Sequence, residues 1–219
     1  MKKEFNTMPP AFEGRDLYGF DWKENALSIP SPIAVVTSYK DNGKTNATMQ
    51  SWMAFTSSGE NFYCIFGSVN KYCHMYKTLK ESKAAVINFP SADNFLACYS
   101  TIQHNEYDTD EIAAAGLTAE KASCVNAPRI KECFLNLECE YVWEKEFSPD
   151  GFCVAMCVKV VNVVMDEEYF SAQKKFGELG YLYNIHSPTN PESGEITETC
   201  VGVINKLTTY GELEEKYGK

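Results

Sequence analysis

Asn46, Thr48, Gln50 and Ser51 crowd into six residues beside two bulky groups, Met49 and Trp52. A segment made only for packing carries more Val, Ile and Leu. Short hydroxyl and amide side chains leave the backbone accessible and offer both donors and acceptors. A planar ligand with a polar edge needs a wall of that kind. On a strand, Asn46, Thr48 and Gln50 occupy alternate positions and share one face. Trp52 is then placed to pack on or beside a flat ring.

A second group lies at Lys71 and His74, with Ser68 just ahead of them. The apolar stripe of Tyr72, Met75 and Leu79 predicts a helix over 70–82, with Asn70 as its N-cap. A helix start offers free N–H groups and a partial positive charge, so it suits an anion such as phosphate. Lys71 adds a cation, and His74 adds a donor whose charge follows pH. Cys73 sits between them and is the cysteine best placed to be reactive, because cationic neighbours favour thiolate. A small, inert, buried thiol is the alternative reading. His104 and His186 fall in loop-like segments, and His186 is a further candidate for closing a pocket.

The nine cysteines, at 64, 73, 98, 124, 133, 139, 153, 157 and 200, include no C-x-x-C pair. Zinc-ribbon, iron–sulfur and thioredoxin-like spacings are therefore missing, and reduced thiols with no metal and no disulfide are expected. No G-x-G-x-x-G, G-x-x-x-x-G-K-[ST] or G-x-S-x-G occurs either, so neither a dinucleotide fold, a P-loop nor a nucleophile elbow is signalled.

Strand patterns run over 32–39, 44–55, 61–67, 83–89, 134–145 and 152–165. Asn42-Gly43 between the first two predicts a tight hairpin with a type I′ turn. A second helix is expected after Pro90, capped by Ser91 or Asp93 and running through Leu96, Tyr99 and Ile102. A short helix over 108–115 ends at Gly116, and 147–151 is a turn. Six strands joined by hairpins and interrupted by helices predict an antiparallel barrel with helices outside. The expected organisation is an N-terminal extension over 1–27, a barrel domain over 28–165 and a C-terminal tail over 166–219 that packs on the barrel.

Composition narrows the function classes. The 219 residues are 44% hydrophobic, enough for a core. With 20 Lys+Arg against 30 Asp+Glu, the formal charge of −10 disfavours a nucleic-acid binder. No apolar run approaches the ~20 residues of a membrane span, and the N-terminus shows no apolar h-region. A cytoplasmic protein that meets no membrane is the expectation. The 13 Tyr, 13 Phe and 3 Trp suit extensive apolar interfaces.

Three ordered blocks carry a family likeness: Pro32-Ile-Ala-Val-Val-Thr through Gly43-Lys-Thr-Asn-Ala-Thr-Met-Gln-Ser-Trp52, then Lys71-Tyr-Cys-His-Met-Tyr-Lys-Thr-Leu79 with Lys83–Phe89, then Ala115-Gly-Leu-Thr118 through Ala127-Pro-Arg-Ile130 to Phe134–Cys139. In these the chain resembles the flavin reductase-like family of FMN-binding split barrels, and within it the flavoredoxin-like branch. The resemblance implies a mainly β fold with helices (α+β), a split β-barrel of antiparallel Greek-key type flanked by helices. It implies FMN held at the interface of a homodimer, with electrons passing between NADH or NADPH, FMN and an acceptor. The family's Asn-x-Thr-x-x-x-Trp pattern falls on Asn46, Thr48 and Trp52. It makes Asn46, Thr48, Met49, Gln50, Ser51 and Trp52 the candidate ring and chain contacts. The phosphate pattern, a basic residue followed three positions on by Thr or Ser, falls on Lys71 and His74, with Ser68 beside it. His74 departs from the commoner hydroxyl.

Hydride transfer to a flavin is the cofactor's chemistry, and the protein supplies binding, orientation and electrostatics. The resemblance therefore requires no acid–base pair, and none stands out. Two classes of function follow. One is an NAD(P)H-dependent FMN reductase. The other is a non-enzymatic electron carrier that takes electrons from a separate protein donor. The acidic balance fits docking to a basic redox partner and fits plain solubility equally well.

Overall fold

The hairpin at Asp41-Asn-Gly-Lys44 sets the register from which the sheet grows. In the computed structural model, which describes residues 2–16, 21–149 and 151–218, Gly43 has φ +80°. Its N–H donates to Lys40 O at 3.0 Å, and Lys40 N–H donates to Lys44 O at 2.8 Å. Asn42 is not in the left-handed region. The connection is therefore not the type I′ turn expected but a longer loop with one left-handed glycine. Asn42 uses its side-chain Oδ1 instead to accept Lys44 N–H at 3.0 Å, the local bond that favours Asn in turns.

The elements in chain order are α1 (Trp22–Leu27), β1 (Ser31–Pro32), β2 (Ala34–Tyr39), β3 (Thr45–Gln50), β4 (Met53–Ser58), β5 (Asn61–Asn70), α2 (His74–Ser82), β6 (Ala84–Phe89), α3 (Phe95–Ser100) and α4 (Glu111–Ala114). There follow β7 (Ala119–Lys121), β8 (Pro128–Ile130), β9 (Leu135–Glu146), β10 (Cys153–Met165), β11 (Leu182–His186), β12 (Cys200–Val203) and α5 (Tyr210–Tyr217). Two compact units result, one of Met1–Ser31 with Tyr183–Gly202 and one of Pro32–Leu182 with Val203–Lys219.

The larger unit holds a seven-stranded sheet in the order β3-β2-β6-β9-β10-β5-β4. Its strand pairs are antiparallel. The two edge strands, β3 and β4, follow one another in the chain with only Ser51 and Trp52 between them. Two residues reach about 7 Å, so the sheet must curl until the end of β3 comes to the start of β4. No ladder joins these two strands among the described residues, which makes the structure a split barrel. The strand expected over 44–55 is thus two strands. Trp52 breaks it with a left-handed φ of +54°, a conformation costly for a bulky residue.

Inside the curl pack Ala34, Val36, Phe66, Ile87, Leu137, Met156 and Val158, closed by Met75 and Leu79 of α2. A second cluster covers the other face of β2 and β3, where Val35 and Ala47 meet Cys98, Ile112, Leu117 and Ile130. Buried Asn88 ties the layers together. Its amide nitrogen donates to Val35 O at 2.9 Å, and its oxygen accepts Ile130 N–H and Asn136 Nδ2, both at 2.9 Å.

Caps differ from expectation in detail. Cys73, not Asn70, is the N-cap of α2, because Asn70 is spent on a local turn, accepting Tyr72 N–H at 2.8 Å. Asn94 occupies the N-cap of α3, while Ser91 donates to Asp93 at 2.5 Å. The third helix is shortened to Glu111–Ala114 because Asp110 caps it, accepting Ala113 N–H at 3.1 Å. The expected turn over 147–151 includes Asp150, which lies outside the described residues.

In the smaller unit, Asp21 caps α1 by accepting Lys23 N–H at 2.9 Å. Phe12 and Trp22 pack with ring centroids 5.6 Å apart. Thr189 N–H reaches Asn25 O at 3.1 Å, and Arg15 donates to Gly194 O at 2.7 Å. Sequence periodicity missed the three-stranded sheet β1-β11-β12. Strands this short, in polar surroundings, leave too few alternations to register.

Candidate functional site

Register decides which way the β3 side chains face. Gln50, Thr48 and Asn46 lie opposite Ala34, Val36 and Ser38 of β2. Directly opposed residues share a face, and Ala34 and Val36 face the core closed by α2. Asn46, Thr48 and Gln50 therefore line the α2 side of the edge strand, as their alternation requires. Met49 turns the other way, onto the second cluster.

Asn46 is the unusual member. It is 1% exposed, and neither its amide nitrogen nor its amide oxygen has a hydrogen-bond partner. Asn88, buried as deeply, is bonded at both atoms. An enclosed polar group without a partner costs about 1–3 kcal/mol in proteins, so the Asn46 amide calls for a polar partner from outside the chain. Its immediate neighbourhood is polar. Ser38, directly opposite, bonds Thr78 Oγ1 at 2.6 Å, and Thr78 donates to His74 O at 3.0 Å.

His74 opens α2, where Cys73 provides no side-chain cap bond. Its Nδ1 lies 3.3 Å from Glu111 Oε1. The same carboxylate accepts Ala47 N–H at 2.6 Å on β3 and faces Lys40 Nζ at 2.7 Å. Lys40 also donates to Thr109 O at 2.9 Å. Lys40 and Glu111 are shut away from solvent, with side chains 0% and 1% exposed. The Tyr107 ring stands edge-on to His74 at 5.8 Å, with Lys77 Nζ 5.1 Å from its centroid. One buried carboxylate thus links the polar strand to the start of α2. Lys40, Tyr107 and Glu111 escaped the sequence reading. Nothing local marks Glu111 as inward-facing, since an acidic residue in a first helical turn is ordinary.

Ser51 is buried and Trp52 half-buried at the crossing between the sheet edges. Gly67 N–H donates to Trp52 O at 2.8 Å. A Cβ at Gly67 would stand 3.0 Å from that oxygen, so only glycine fits without displacement. Ser68 follows on β5, half-buried.

Lys71 is placed differently from the rest. Its N–H donates to Phe152 O at 2.9 Å, and its Nζ pairs with Glu146 Oε1 of β9 at 2.5 Å. That bond holds the ammonium above the usual lysine range. The lysine is a cation already matched with an anion. Cys73 is half-buried, and burial pushes its thiol above the ordinary range, although the Tyr76 and Met75 N–H groups pull the other way. Desolvation outweighs those N–H groups, so the thiol is held in its neutral form. His186 belongs to the smaller unit, where burial lowers its pKa. No group of three or more metal-ligating side chains occurs among the described residues. No helix among them is long and apolar enough to cross a membrane.

Comparison with known proteins places the fold. Residues 26–183 match the family described as flavin reductase like domain. The fold is similar to nitrilotriacetate monooxygenase component B from Bacillus cereus, with a TM-score of 0.69, 15% identity and coverage of 90% of this chain and 97% of that one. It is similar to the FMN-binding protein from Thermus thermophilus, with a TM-score of 0.67, 15% identity and coverage of 95% and 99%. It is also similar to the flavoredoxin of Desulfovibrio vulgaris (Miyazaki F), with a TM-score of 0.64, 17% identity and coverage of 95% and 96%.

Proposed function

The chain belongs to the flavin reductase-like family, and from that premise we propose that it is an FMN-binding oxidoreductase. It moves electrons between NADH or NADPH, FMN and an acceptor. The observation that carries the reading is the enclosed, unpartnered amide of Asn46 on the α2 side of β3. An isoalloxazine offers what that amide lacks, a polar edge with donors and acceptors on a flat apolar body. The Thermus protein's name, FMN-binding protein, supports the choice of flavin.

FMN when bound supplies the redox chemistry. The residues of the chain bind and orient it. Asn46, Thr48 and Gln50 offer amide and hydroxyl groups to the polar edge, and Ser51 with Trp52 shapes the wall, while Met49 backs the strand from the second cluster. His74 and the N–H groups at the start of α2 offer donors to the phosphate, with Ser68 and Lys71 as outlying contributors. Ala47 N–H and Lys40 are held by Glu111 and shape the site without needing to touch the ligand. Glu111 and the packed clusters behind β3 keep water from the buried side of that strand.

The working unit in this reading is a homodimer that completes the site, located in the cytoplasm. A sheet with β3 at one edge leaves one side of the polar strand for a partner copy to cover. The purified protein should be yellow and should release FMN, not FAD, on denaturation. Steady-state oxidation of NADH and NADPH with FMN or ferricyanide tests the enzyme. A colourless protein that takes up no FMN overturns the reading.

A second reading is a flavoredoxin-type carrier, reduced by a separate protein and not by nicotinamide. Similarity to a flavoredoxin over 95% of the chain supports it. Bound FMN with no NAD(P)H oxidation, but reduction by a donor protein, selects this reading.

A further inference from the structure

Glu111 is committed on both oxygens. Oε2 accepts Ala47 N–H at 2.6 Å, and Oε1 faces the Lys40 ammonium at 2.7 Å and His74 Nδ1 at 3.3 Å. A lysine Nζ on one oxygen and an N–H on the other match an ionised carboxylate, which can only accept. The third contact is consistent only if His74 carries a proton on Nδ1. In the neutral imidazole the other nitrogen, Nε2, is then a bare lone pair. A lone pair repels phosphate oxygens. A donor appears at Nε2 only when the ring takes up a second proton.

We propose that the anion end of this site is proton-linked: Glu111 locks the His74 proton on Nδ1, so His74 engages an anion only as imidazolium. The inference rests on the flavin reading and adds its regulation. When the anion binds, one proton passes from solvent to His74 Nε2, and Nε2–H donates to the anion. No other bond is made or broken. Glu111 acts here as a positioning residue, through His74.

The charged and titratable groups around the ring are few. Glu111 faces it from α4 and Lys40 from the end of β2. Tyr107 stands edge-on from the loop before α4. On its own helix, Lys77 sits against the same tyrosine and lies 3.7 Å from Asp41. β3, Thr45–Gln50, carries no charged side chain. Glu111 and Lys40 are already matched with each other, which leaves His74 as the member of the cluster free to change charge on binding.

The test uses the full-length protein and three probes: FMN, riboflavin, which lacks the phosphate, and inorganic sulfate, which stays dianionic throughout. Affinities are measured from pH 6 to 9. As pH rises through this range, FMN and sulfate should weaken, by up to about tenfold per pH unit, the limit for one linked proton. Riboflavin should stay flat. Calorimetry in buffers of different ionisation enthalpy should read uptake of up to one proton per FMN at the alkaline end. On the flavin-free protein, 15N NMR at high pH should show His74 as the Nδ1–H tautomer. In His74→Gln, whose amide donates at every pH, the FMN slope should disappear. In Glu111→Gln the carboxamide can donate to Nδ1 and release the lock, so the slope should shrink. His74→Gln decides the matter if Glu111→Gln fails to fold. A neutral Nε2–H tautomer, or FMN and sulfate affinities that ignore pH, overturns the proposal. If neither flavin binds at any pH, the flavin reading fails, and the sulfate and tautomer measurements still decide this one.

Discussion

Lys40 Nζ lies 2.7 Å from Glu111 Oε1, and both side chains are closed off from water. The pair joins residues 71 positions apart in the chain, the end of β2 and the first turn of α4, across the polar edge strand. Removing one partner of such a pair leaves an uncompensated buried charge, at a cost of about 3–5 kcal/mol. Lys40→Met should therefore lower stability by that amount in urea unfolding. The double variant Lys40→Met/Glu111→Leu should lose less than the sum of the two single losses. Strict additivity would show that the two charges do not stabilise one another.

Asn46 separates binding from stability. Without a ligand its amide is enclosed and unpartnered, so replacing it with an apolar residue of similar volume removes a desolvated group. Asn46→Leu should hold stability level or raise it by about 1–3 kcal/mol in the flavin-free protein. The same variant should bind FMN at least tenfold more weakly. Thermal unfolding with and without FMN gives both numbers. A variant that loses stability but keeps its flavin affinity would assign the amide to the fold alone.

The barrel and the polar strand were legible in the sequence because they rest on local signals. Alternating Asn46, Thr48 and Gln50 and the apolar run before them fix a strand and its faces. What was not legible depends on contacts between residues far apart. The break at Trp52 comes from its left-handed backbone and from Gly67, fifteen residues on. Glu111 and Lys40 look like surface charges until the fold buries them together. Lys71 looks like a free cation until β9 brings Glu146 to it. Cys73 looks activated by its neighbours until its burial is known.

On the proposed flavin reading, Glu146 and the FMN phosphate compete for Lys71. Lys71 Nζ bonds Glu146 Oε1 at the surface, where Glu146 is half exposed. Glu146→Gln should release the ammonium and tighten FMN binding by a few-fold, and the gain should shrink in high salt. Lys71→Ala should weaken binding by up to about tenfold. Flavin fluorescence titration measures both. Equal affinities across the two variants would detach Lys71 from the phosphate.

Gly67 gives the crossing at Trp52 room to close on β5. Its N–H reaches Trp52 O at 2.8 Å, and a methyl there would lie 3.0 Å from the same oxygen. Gly67→Ala must push Trp52 away or lengthen that bond. A cost of about 1–3 kcal/mol is expected from overpacking, with a fall in FMN affinity because Ser51 and Trp52 move. Amide exchange at residue 67 should accelerate. Unchanged exchange and affinity would mean that the crossing absorbs the methyl freely.

Cys73 tests whether the chain adds redox chemistry of its own. Burial raises its thiol, so thiolate is scarce at neutral pH. Alkylation of Cys73 by iodoacetamide should be slow at pH 7 and should accelerate only above the ordinary thiol range. Cys124, which is exposed, should react first. Cys73→Ser keeps the shape of the N-cap and gives it a better acceptor for the helix N–H groups. The variant should therefore retain FMN and most of its NAD(P)H oxidation. If FMN stays bound while electron transfer to every acceptor disappears, the thiol takes part in the reaction, and the flavin is not the only redox centre.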